Sequence, residues 1–515
     1  MLKWLETQHY QKMTAMNSKY RNNSNPYTGY VVYSEDNRAI GVVSDTDDRL
    51  AICNLRSISN NFREYLLALE DKRFAKHMGI DIIGIIRAIY QNIKSQKITQ
   101  GGSTITQQLA RNILRDNSKN IKRKIKEFLF ALKLENRFSK DAILELYFNN
   151  IFWGKKIYGL RAASLEYFSK EPECLSISEQ MALLTLLRGP NYYLKNEDKF
   201  VDRYKLLNNV LLKCNALSVR KFKKVKKAQI ILQQNNLQVY KNSSIPFIAK
   251  QINLKHYSIL SSIDSHLQQK AKRFISECRY PTSLICCSSN NIIAMASSYG
   301  NDYPISFKGN VGSTLKPFIY SFLREKGIGS EQLFSTENRG NLSWNIREVE
   351  VPQQGEITLR EALRISNNNV FANASSSIGI ENVILFLSKI LKKPKSQFVP
   401  ASILGATYDG ISLFELLQAY HRFFIAKPYS PYKNECISIL KEVASEKIGI
   451  KRDVFLKTGT TNENKERYAI VGNEEVLFGF LRQGNEVNDF SKEGNFLLGV
   501  QTFLKDVSEK NYKWE

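Results

Sequence analysis

Nowhere in its 515 residues does the chain hold a run of about 18 apolar side chains, the length a single helix needs to cross a bilayer. Its opening, MLKWLETQHYQKMTAMNSKYRNNSNP, lacks the apolar core of a signal peptide. Cysteine is sparse: seven are scattered, no C-x-x-C occurs, and the five histidines are dispersed. That pattern excludes a dense disulfide framework and argues against a zinc site. No internal repeat or low-complexity tract is present. Acidic residues are also short. Asp and Glu number 49 against 74 Lys and Arg, a net charge of +25. Such an excess calls for an anionic partner, whether nucleic acid, a phospholipid surface or a phosphorylated substrate, and charge alone does not choose among them.

What is present is ordinary globular composition, 43% hydrophobic and 24% charged, in a chain long enough for two or three domains. From about 60 to 210 the apolar period is helical. FREYLLALEDKRF, IDIIGIIRAIYQNIK, NIKRKIKEFLFALKLENRF and SKDAILELYFNN place apolar residues at three- and four-residue intervals, with Ser139 as an N-cap. The segment GIDIIGIIRAIYQNIKSQ carries Arg87 and Lys94 and suits lying on a surface. Residues 218–256, with VRKFKKVKKAQ, read as a basic connector. Beyond it YSILSSID reads as a strand, SHLQQKAKRFISE as a helix, and SLICCSSNNIIAMAS as two strands around Asn290–Asn291. EVLFGFLR and NFLLGVQTFL read as late strands, so a mostly α first domain precedes an α/β second one with an antiparallel sheet.

Glu70 and Asp71 end a helix in LLALEDKRFAKHMGID, and Glu127 lies in KRKIKEFLFALKLE among lysines and arginines. Glycosyl transfer commonly needs one carboxylate to activate a hydroxyl and a second group to manage the leaving side; a phosphate leaving group needs cations and amides. Taken singly, each feature has a plain reading: a solvated helix end, a solvated basic face, and in QGGST a hinge followed by an N-cap.

In order, EDKRFAKHMGID, QGGSTITQQLARN, the stretch from KRKIKEF through NNIFWGKKIYGLRAAS, and SEQMALLTLLRGPNYY closely resemble the successive motifs of the peptidoglycan glycosyltransferase domain. The resemblance runs from about Tyr30 to Cys214. It implies a lysozyme-like, mostly α fold that polymerises lipid II with inversion, from an α-linked lipid diphosphate donor to a β-1,4 glycan. By motif position Glu70 is implied as the base for the acceptor 4-hydroxyl and Glu127 as the second glutamate, assisting at the donor diphosphate. Gln107, Arg111, Arg123 and Lys124 match positions near phosphates or donor, and the glycines of QGGST imply a mobile loop over the cleft. Members of this family often use a divalent cation, magnesium or manganese, here; the sequence itself establishes none.

The second half carries S-x-x-K in VGSTLKPF (Ser313, Lys316), S-x-N in RISNNNV (Ser366, Asn368) and K-T-G in VFLKTGTT (Lys457, Thr458, Gly459, then Thr460). This is the signature set of penicillin-binding proteins and class A β-lactamases. A serine opening a helix sets its hydroxyl one turn from Lys316, which can take the proton once it is an amine. Ser366 can relay a proton to the leaving amine, and Asn368 can hold the substrate amide. Lys457 supplies charge and the strand hydroxyls face a substrate carboxylate, while the Thr460 and Ser313 amides can form an oxyanion hole. Single matches are noise, since S-x-x-K recurs at Ser218–Lys221 and Ser438–Lys441 and S-x-N at Ser343–Asn345. The ordered set, with SSIDSHLQQKAK, ITLREALRISNNNV and ASILGATYDGISLFELLQAYHRFF between motifs, resembles the family's transpeptidase domain from about Tyr257 to Phe503.

Both halves together resemble a class A penicillin-binding protein, with the 1C kind as the expected subtype. The implied fold is a lysozyme-like glycosyltransferase domain followed by an α/β, serine β-lactamase-like transpeptidase domain. The expected layout is a polar lead 1–29, glycosyltransferase domain 30–215, basic linker 216–256, transpeptidase domain 257–505 and tail 506–515. Implied partners are lipid II and nascent glycan strands, stem peptides ending in D-Ala-D-Ala, β-lactam antibiotics and an anionic membrane surface. The alternatives are a degenerate lipid II-, stem-peptide- or β-lactam-binding protein, and a second domain acting as a DD-carboxypeptidase. A nucleic-acid binder has only the charge behind it and no motif. Family members normally begin with a transmembrane helix. Its absence from this sequence gives the expectation of peripheral attachment at the outer face of the bacterial cytoplasmic membrane, through the segment around Ile80 to Ile93.

Overall fold

The computed structural model describes residues 28–95, 102–114, 121–228, 230–233, 235–289, 291–337, 355–426, 430–450, 453–461, 466–484 and 492–508. The expected lead before Thr28, the glycine loop at 96–101 and the tail beyond 508 lie outside them. The chain forms two compact units, one holding residues up to 242 together with 249–261, the other 243–248 and 262 onward.

The first unit is mostly helical. Its successive helices are α1 (Asn60–Glu70), α2 (Ile82–Ser95), α3 (Ile105–Leu114), α4 (Ile121–Arg137), α5 (Lys140–Asn150), α6 (Leu160–Phe168), α7 (Ile177–Leu186), α8 (Pro190–Tyr193), α9 (Glu197–Lys213) and α10 (Val219–Lys227). Several starts are written locally. Ser59 accepts from Phe62 N, Ser139 accepts from Ala142 N as expected, and Ser176 with Glu179 forms a capping box. α6 and α7 are buried nearly all round and carry the core with Trp153, Phe62 and Phe148.

A five-stranded sheet also belongs to this unit. Its strands are β1 (Val31–Tyr33), β2 (Ala39–Val43), β3 (Gln238–Tyr240), β4 (Ala249–Asn253) and β5 (Ser258–Ser261), in the order β3-β2-β1-β5-β4. This corrects the expected linker. Residues 216–256 supply α10, whose Val225 is fully buried, and two of the five strands. The domain start expected at 257 also moves, because β5 runs parallel beside β1 with Ile259 opposite Val32. A basic composition hid the alternate apolar residues that dock this segment.

The second unit centres on an antiparallel sheet of β6 (Thr282–Ser288), β7 (Asn291–Ser297), β8 (Phe455–Thr460), β9 (Glu466–Gly472) and β10 (Val476–Gln483), in the order β8-β9-β10-β6-β7. β8 is therefore an edge strand. Around the sheet pack α11 (Ser265–Glu277), α12 (Lys316–Glu325), α13 (Leu359–Ile365), α14 (Asn368–Ser377), α15 (Ile380–Leu391), α16 (Leu413–Tyr420), α17 (Pro431–Ile448) and α18 (Lys492–Ser508). The expected strand NFLLGVQTFL is α18 instead. Phe496, Leu497, Val500, Phe503, Leu504 and Val507 recur at helical spacing, and all are buried in the core against the sheet.

Among the described residues no single helix is long and apolar enough to cross a membrane. The bent pair α14–α15 passes by composition, and its Val370, Phe371, Val383 and Leu387 are buried.

Candidate functional site

In the first unit a carboxylate stands at the end of α1. Glu70 has a side chain 11% exposed and two cationic or amide partners. Gln108 Nε2 donates to its Oε2 at 3.1 Å, and Arg188 Nε donates to its Oε1 at 3.2 Å. Gln108 is itself held, its Oε1 accepting from the Tyr147 hydroxyl at 2.9 Å. Burial raises the Tyr147 pKa, the Glu70 charge adds to it, and Arg111 and Arg188 oppose it. Arg111, exposed in the last turn of α3, is thus within electrostatic reach of this cluster.

The neighbouring acid has another task. Asp71 accepts from the Ile105 amide at 2.9 Å, anchoring the start of α3, and faces His77 Nε2 at 3.0 Å. His77 Nδ1 accepts from Gly79 N, so the neutral ring carries its proton on Nε2 and donates it to Asp71.

Glu127 is 2% exposed on α4. Arg123, one turn before it, donates to Oε1 at 2.6 Å, and Lys124 donates to Oε2 at 3.1 Å. Lys124 also donates to Ser103 Oγ at 3.0 Å, tying α4 to the segment before α3. Both oxygens of this buried carboxylate are thus on cations, and the outward edges of those cations form a positive surface. Asp71 and the Glu127–Arg123–Lys124 cluster both touch the chain at the start of α3, at Ile105 and Ser103 respectively.

Gln107, expected near the donor, has a structural task. It is 4% exposed and closes a capping box, its N donating to Thr104 Oγ1 while its Oε1 accepts from Thr104 N. The T-x-x-Q spacing of TITQ carries that signal. Gln108, Arg188 and Tyr147 were not singled out by sequence reasoning. Gln108 lies inside the motif QGGSTITQQLARN and Arg188 inside SEQMALLTLLRGPNYY, but no role was attached to either.

No three His, Cys, Asp or Glu side chains converge as a metal would require among the described residues. With both Glu127 oxygens on Arg123 and Lys124, the residues present do not fit a divalent cation held by this pair.

In the second unit Ser313 lies half-buried on a short 3-10 turn, Gly312–Leu315, that leads into α12. Lys316 follows as the first residue of α12 and is fully buried. Its Nζ donates to the Ser366 carbonyl, to Asn368 Oδ1 at 2.6 Å and, at 3.5 Å, to Ser366 Oγ. Lys457, 3% exposed on β8, donates to the same Ser366 Oγ at 2.8 Å. Ser366 adopts a left-handed conformation (φ +64°) as the C-cap of α13, and Asn367 then caps α14 through Val370 N. That sharp reversal carries the Ser366 and Asn368 side chains to the lysines.

Three backbones meet beside Ser313, and glycines permit it. A Cβ on Gly459 would stand 2.5 Å from Val311 O, and one on Gly312 2.6 Å from Thr460 O. One on Gly405 would run into the Gly312 backbone. The K-T-G glycine thus lets edge strand β8 lie against the Gly312–Leu315 turn, with Thr458 and Thr460 half-buried along it. Tyr420 locks the turn from below, its hydroxyl donating to Thr314 O at 2.6 Å while its ring packs on Phe318 and Phe455. Tyr420 and Gly405 lie in the stretch ASILGATYDGISLFELLQAYHRFF, which sequence comparison flagged only as a whole.

Residues 36–211 match the Transglycosylase family. The chain is similar to penicillin-binding protein 1F of Bacillus subtilis, 29% identical over 413 residues, covering 72% of this chain and 56% of that protein. It is 26% identical to penicillin-binding protein 2D of the same organism, covering 76% of this chain and 61% of that one. Penicillin-binding protein 1A of Neisseria lactamica is 38% identical over 189 residues, 36% of this chain and 23% of that protein. The chain thus spans less than two thirds of these relatives' length. A crystal structure of penicillin-binding protein 1A from Haemophilus influenzae shares the fold, with a TM-score of 0.51 at 14% identity over 94% of this chain and 92% of that one.

Proposed function

We propose, from the premise that the chain belongs to the class A penicillin-binding protein family, that it is a bifunctional peptidoglycan synthase which polymerises lipid II and cross-links stem peptides. The observation behind this reading is that each unit gathers one charged cluster from distant segments. Glu70 meets Gln108 and Arg188; Ser366 meets Lys316 and Lys457 beside Ser313.

In the first unit Glu70 takes the proton of the acceptor 4-hydroxyl, oriented by Gln108 and Arg188. As the new C1–O bond forms, the bond to the lipid diphosphate breaks with inversion. The departing negative charge falls to Arg111, Arg123 and Lys124, with Glu127 fixing the last two. Gln108 takes the substrate-side place expected of Gln107.

In the second unit the Ser313 hydroxyl attacks the carbonyl of the penultimate D-alanine. Its proton passes to Lys316 as the free amine. An amine has two N–H groups, for the Ser366 carbonyl and Asn368, and one lone pair left for that proton. Ser366, steadied by Lys457, relays a proton to the leaving D-alanine amine, and the Ser313 and Thr460 amides receive the oxyanion. A second stem-peptide amine then resolves the acyl-enzyme.

Lipid II polymerisation and fluorescent-penicillin labelling test the two halves separately. Glu70→Gln should abolish polymerisation and keep labelling, and Ser313→Ala should do the reverse. Polymerisation surviving in Glu70→Gln, or label surviving in Ser313→Ala, sinks the corresponding assignment. Product analysis with an amine acceptor separates transfer from carboxypeptidase hydrolysis.

The enzyme works at the outer face of the cytoplasmic membrane. α2 exposes Ile82, Ile83, Ile86 and Ile93, and α4 exposes Ile121, Ile125 and Leu129 beside Lys122 and Lys126. Apolar side chains with interleaved lysines suit an anionic lipid surface. Ile86→Asn with Leu129→Asn should cut co-sedimentation with phosphatidylglycerol vesicles severalfold; unchanged co-sedimentation refutes this attachment.

A further inference from the structure

The basic segment VRKFKKVKK, expected as a linker, has a place in the fold that peptidoglycan chemistry does not use. As α10 it carries six Lys or Arg among nine residues and no acid. Its Val225 enters the core of the first unit, and Tyr204 of α9 donates a hydrogen bond to Val225 O at 3.4 Å. Between α9, α10 and residues 230–233, which Gln233 N ties to Tyr167 O at 2.9 Å, lies a cavity of about 720 Å³.

The cavity has the makings of a ligand site. Its volume falls within the range of small-molecule pockets, and five aromatic residues stand along its walls: Tyr167, Tyr193, Phe200, Tyr204 and Phe222. Phe200 and Tyr204 stack at 6.2 Å, and Arg203 lies over Tyr193, so these rings are held in place. One wall residue is a buried amide. Asn208, 4% exposed, hydrogen-bonds the Tyr204 hydroxyl, while its own Oδ1 has no hydrogen-bond partner. Lys205 and Lys226 are exposed lining residues, and Glu197 is the single acid among those lining the cavity.

We infer that this cavity binds an organic anion with an apolar body. The body, aromatic rings or an acyl chain, fills the space between the aromatic walls, and the anionic head meets Lys205 and Lys226 in the field of α10. Such a ligand covers the apolar surface that these walls present and neutralises a local excess of positive charge.

Fluorescence titration of the full chain with 8-anilinonaphthalene-1-sulfonate tests this. One saturable component, weakened by salt, is expected. Lys205→Glu with Lys226→Glu, both at exposed positions, should weaken it at least tenfold and flatten the salt dependence. Val201→Trp, which directs a large ring into the cavity from a partly exposed position on α9, should remove it. Circular dichroism melting checks that the variants are folded, and the double lysine variant decides the matter if the tryptophan variant is not. Dodecyl phosphate and 1-naphthalenesulfonate serve as competitors. Displacement by the first alone points to a lipid source, and by the second alone to a soluble aromatic acid. The inference is overturned if wild type shows no saturable component, if neither competitor displaces the dye, or if the folded variants bind as wild type does. That last result would place the dye elsewhere, such as on the exposed isoleucines of α2.

Discussion

Gly459→Ala isolates the geometry of the second site with a single methyl group. The added Cβ would lie 2.5 Å from Val311 O and 2.7 Å from Thr314 Cγ2, whereas ordinary contact begins near 3.4 Å. The Thr314 methyl can turn aside, but Val311 O is backbone and is fixed by its place beside Gly405, to whose carbonyl Val311 N donates at 3.1 Å. Relief therefore requires β8 and the Gly312–Leu315 turn to part by about 0.9 Å, the gap between 2.5 and 3.4 Å. One side of that gap carries Ser313 and the other Lys457 and Thr460. A misplacement of about 1 Å among reacting groups costs roughly 100-fold in rate, and overpacking costs about 1–3 kcal/mol of stability. The second-order rate constant for acylation by a fluorescent penicillin should thus fall about 100-fold, with lipid II polymerisation by the other unit unchanged. Acylation within threefold of wild type, in a folded variant, would show that close approach of β8 to the nucleophile turn is not what the glycine provides.

The remaining expectations concern single interactions. Arg123→Met leaves Glu127 buried with Lys124 alone; since Arg123 is partly exposed, the loss should be about 2 kcal/mol in urea denaturation, and adding Glu127→Gln should recover most of it. Tyr420→Phe removes the donor to Thr314 O and should cost about 1 kcal/mol and slow acylation, whereas a neutral result would make the hydroxyl dispensable. Burial raises the Glu145 pKa above its ordinary 4.5, against the lowering effect of the Leu55 amide, so the folded state binds the proton more tightly than the unfolded one. Stability from this group is complete below that ordinary value and is lost as pH rises through the folded value. Glu145→Gln does not titrate, so its stability relative to wild type should climb between pH 4 and pH 7; a constant difference refutes the shift.

Much of the site is local and was legible as such. The serine of VGSTLK, three residues before its lysine, lies one helical turn from it wherever that helix packs, and Arg123 and Lys124 reach Glu127 because i+3 and i+4 share a helix face. S-x-N works the same way, with Ser366 capping one helix just before Asn368 opens the next. The T-x-x-Q capping box was equally local, yet the substrate-side reading of Gln107 passed over it, because a motif position does not say which way a side chain turns.

Tertiary structure decided the rest. Gln108 and Arg188 lie 38 and 118 residues from Glu70 in sequence, and only the packing of α1 and α3 with the chain after α7 brings them to it. NFLLGVQTFL can be apolar as strand or helix, and burial of both its Phe496–Leu497 and Phe503–Leu504 pairs against the sheet selects the helix. Residues 216–256 look like a linker because charge dominates their composition, but Val225 and the alternating side chains of β3 are inside. The sequence by itself determined which residues can do chemistry and which of them share a helix turn. Which distant side chains meet them was settled only by the buried contacts of the fold, because hydrophobic burial is nearly blind to sequence separation while backbone capping and helix spacing are not.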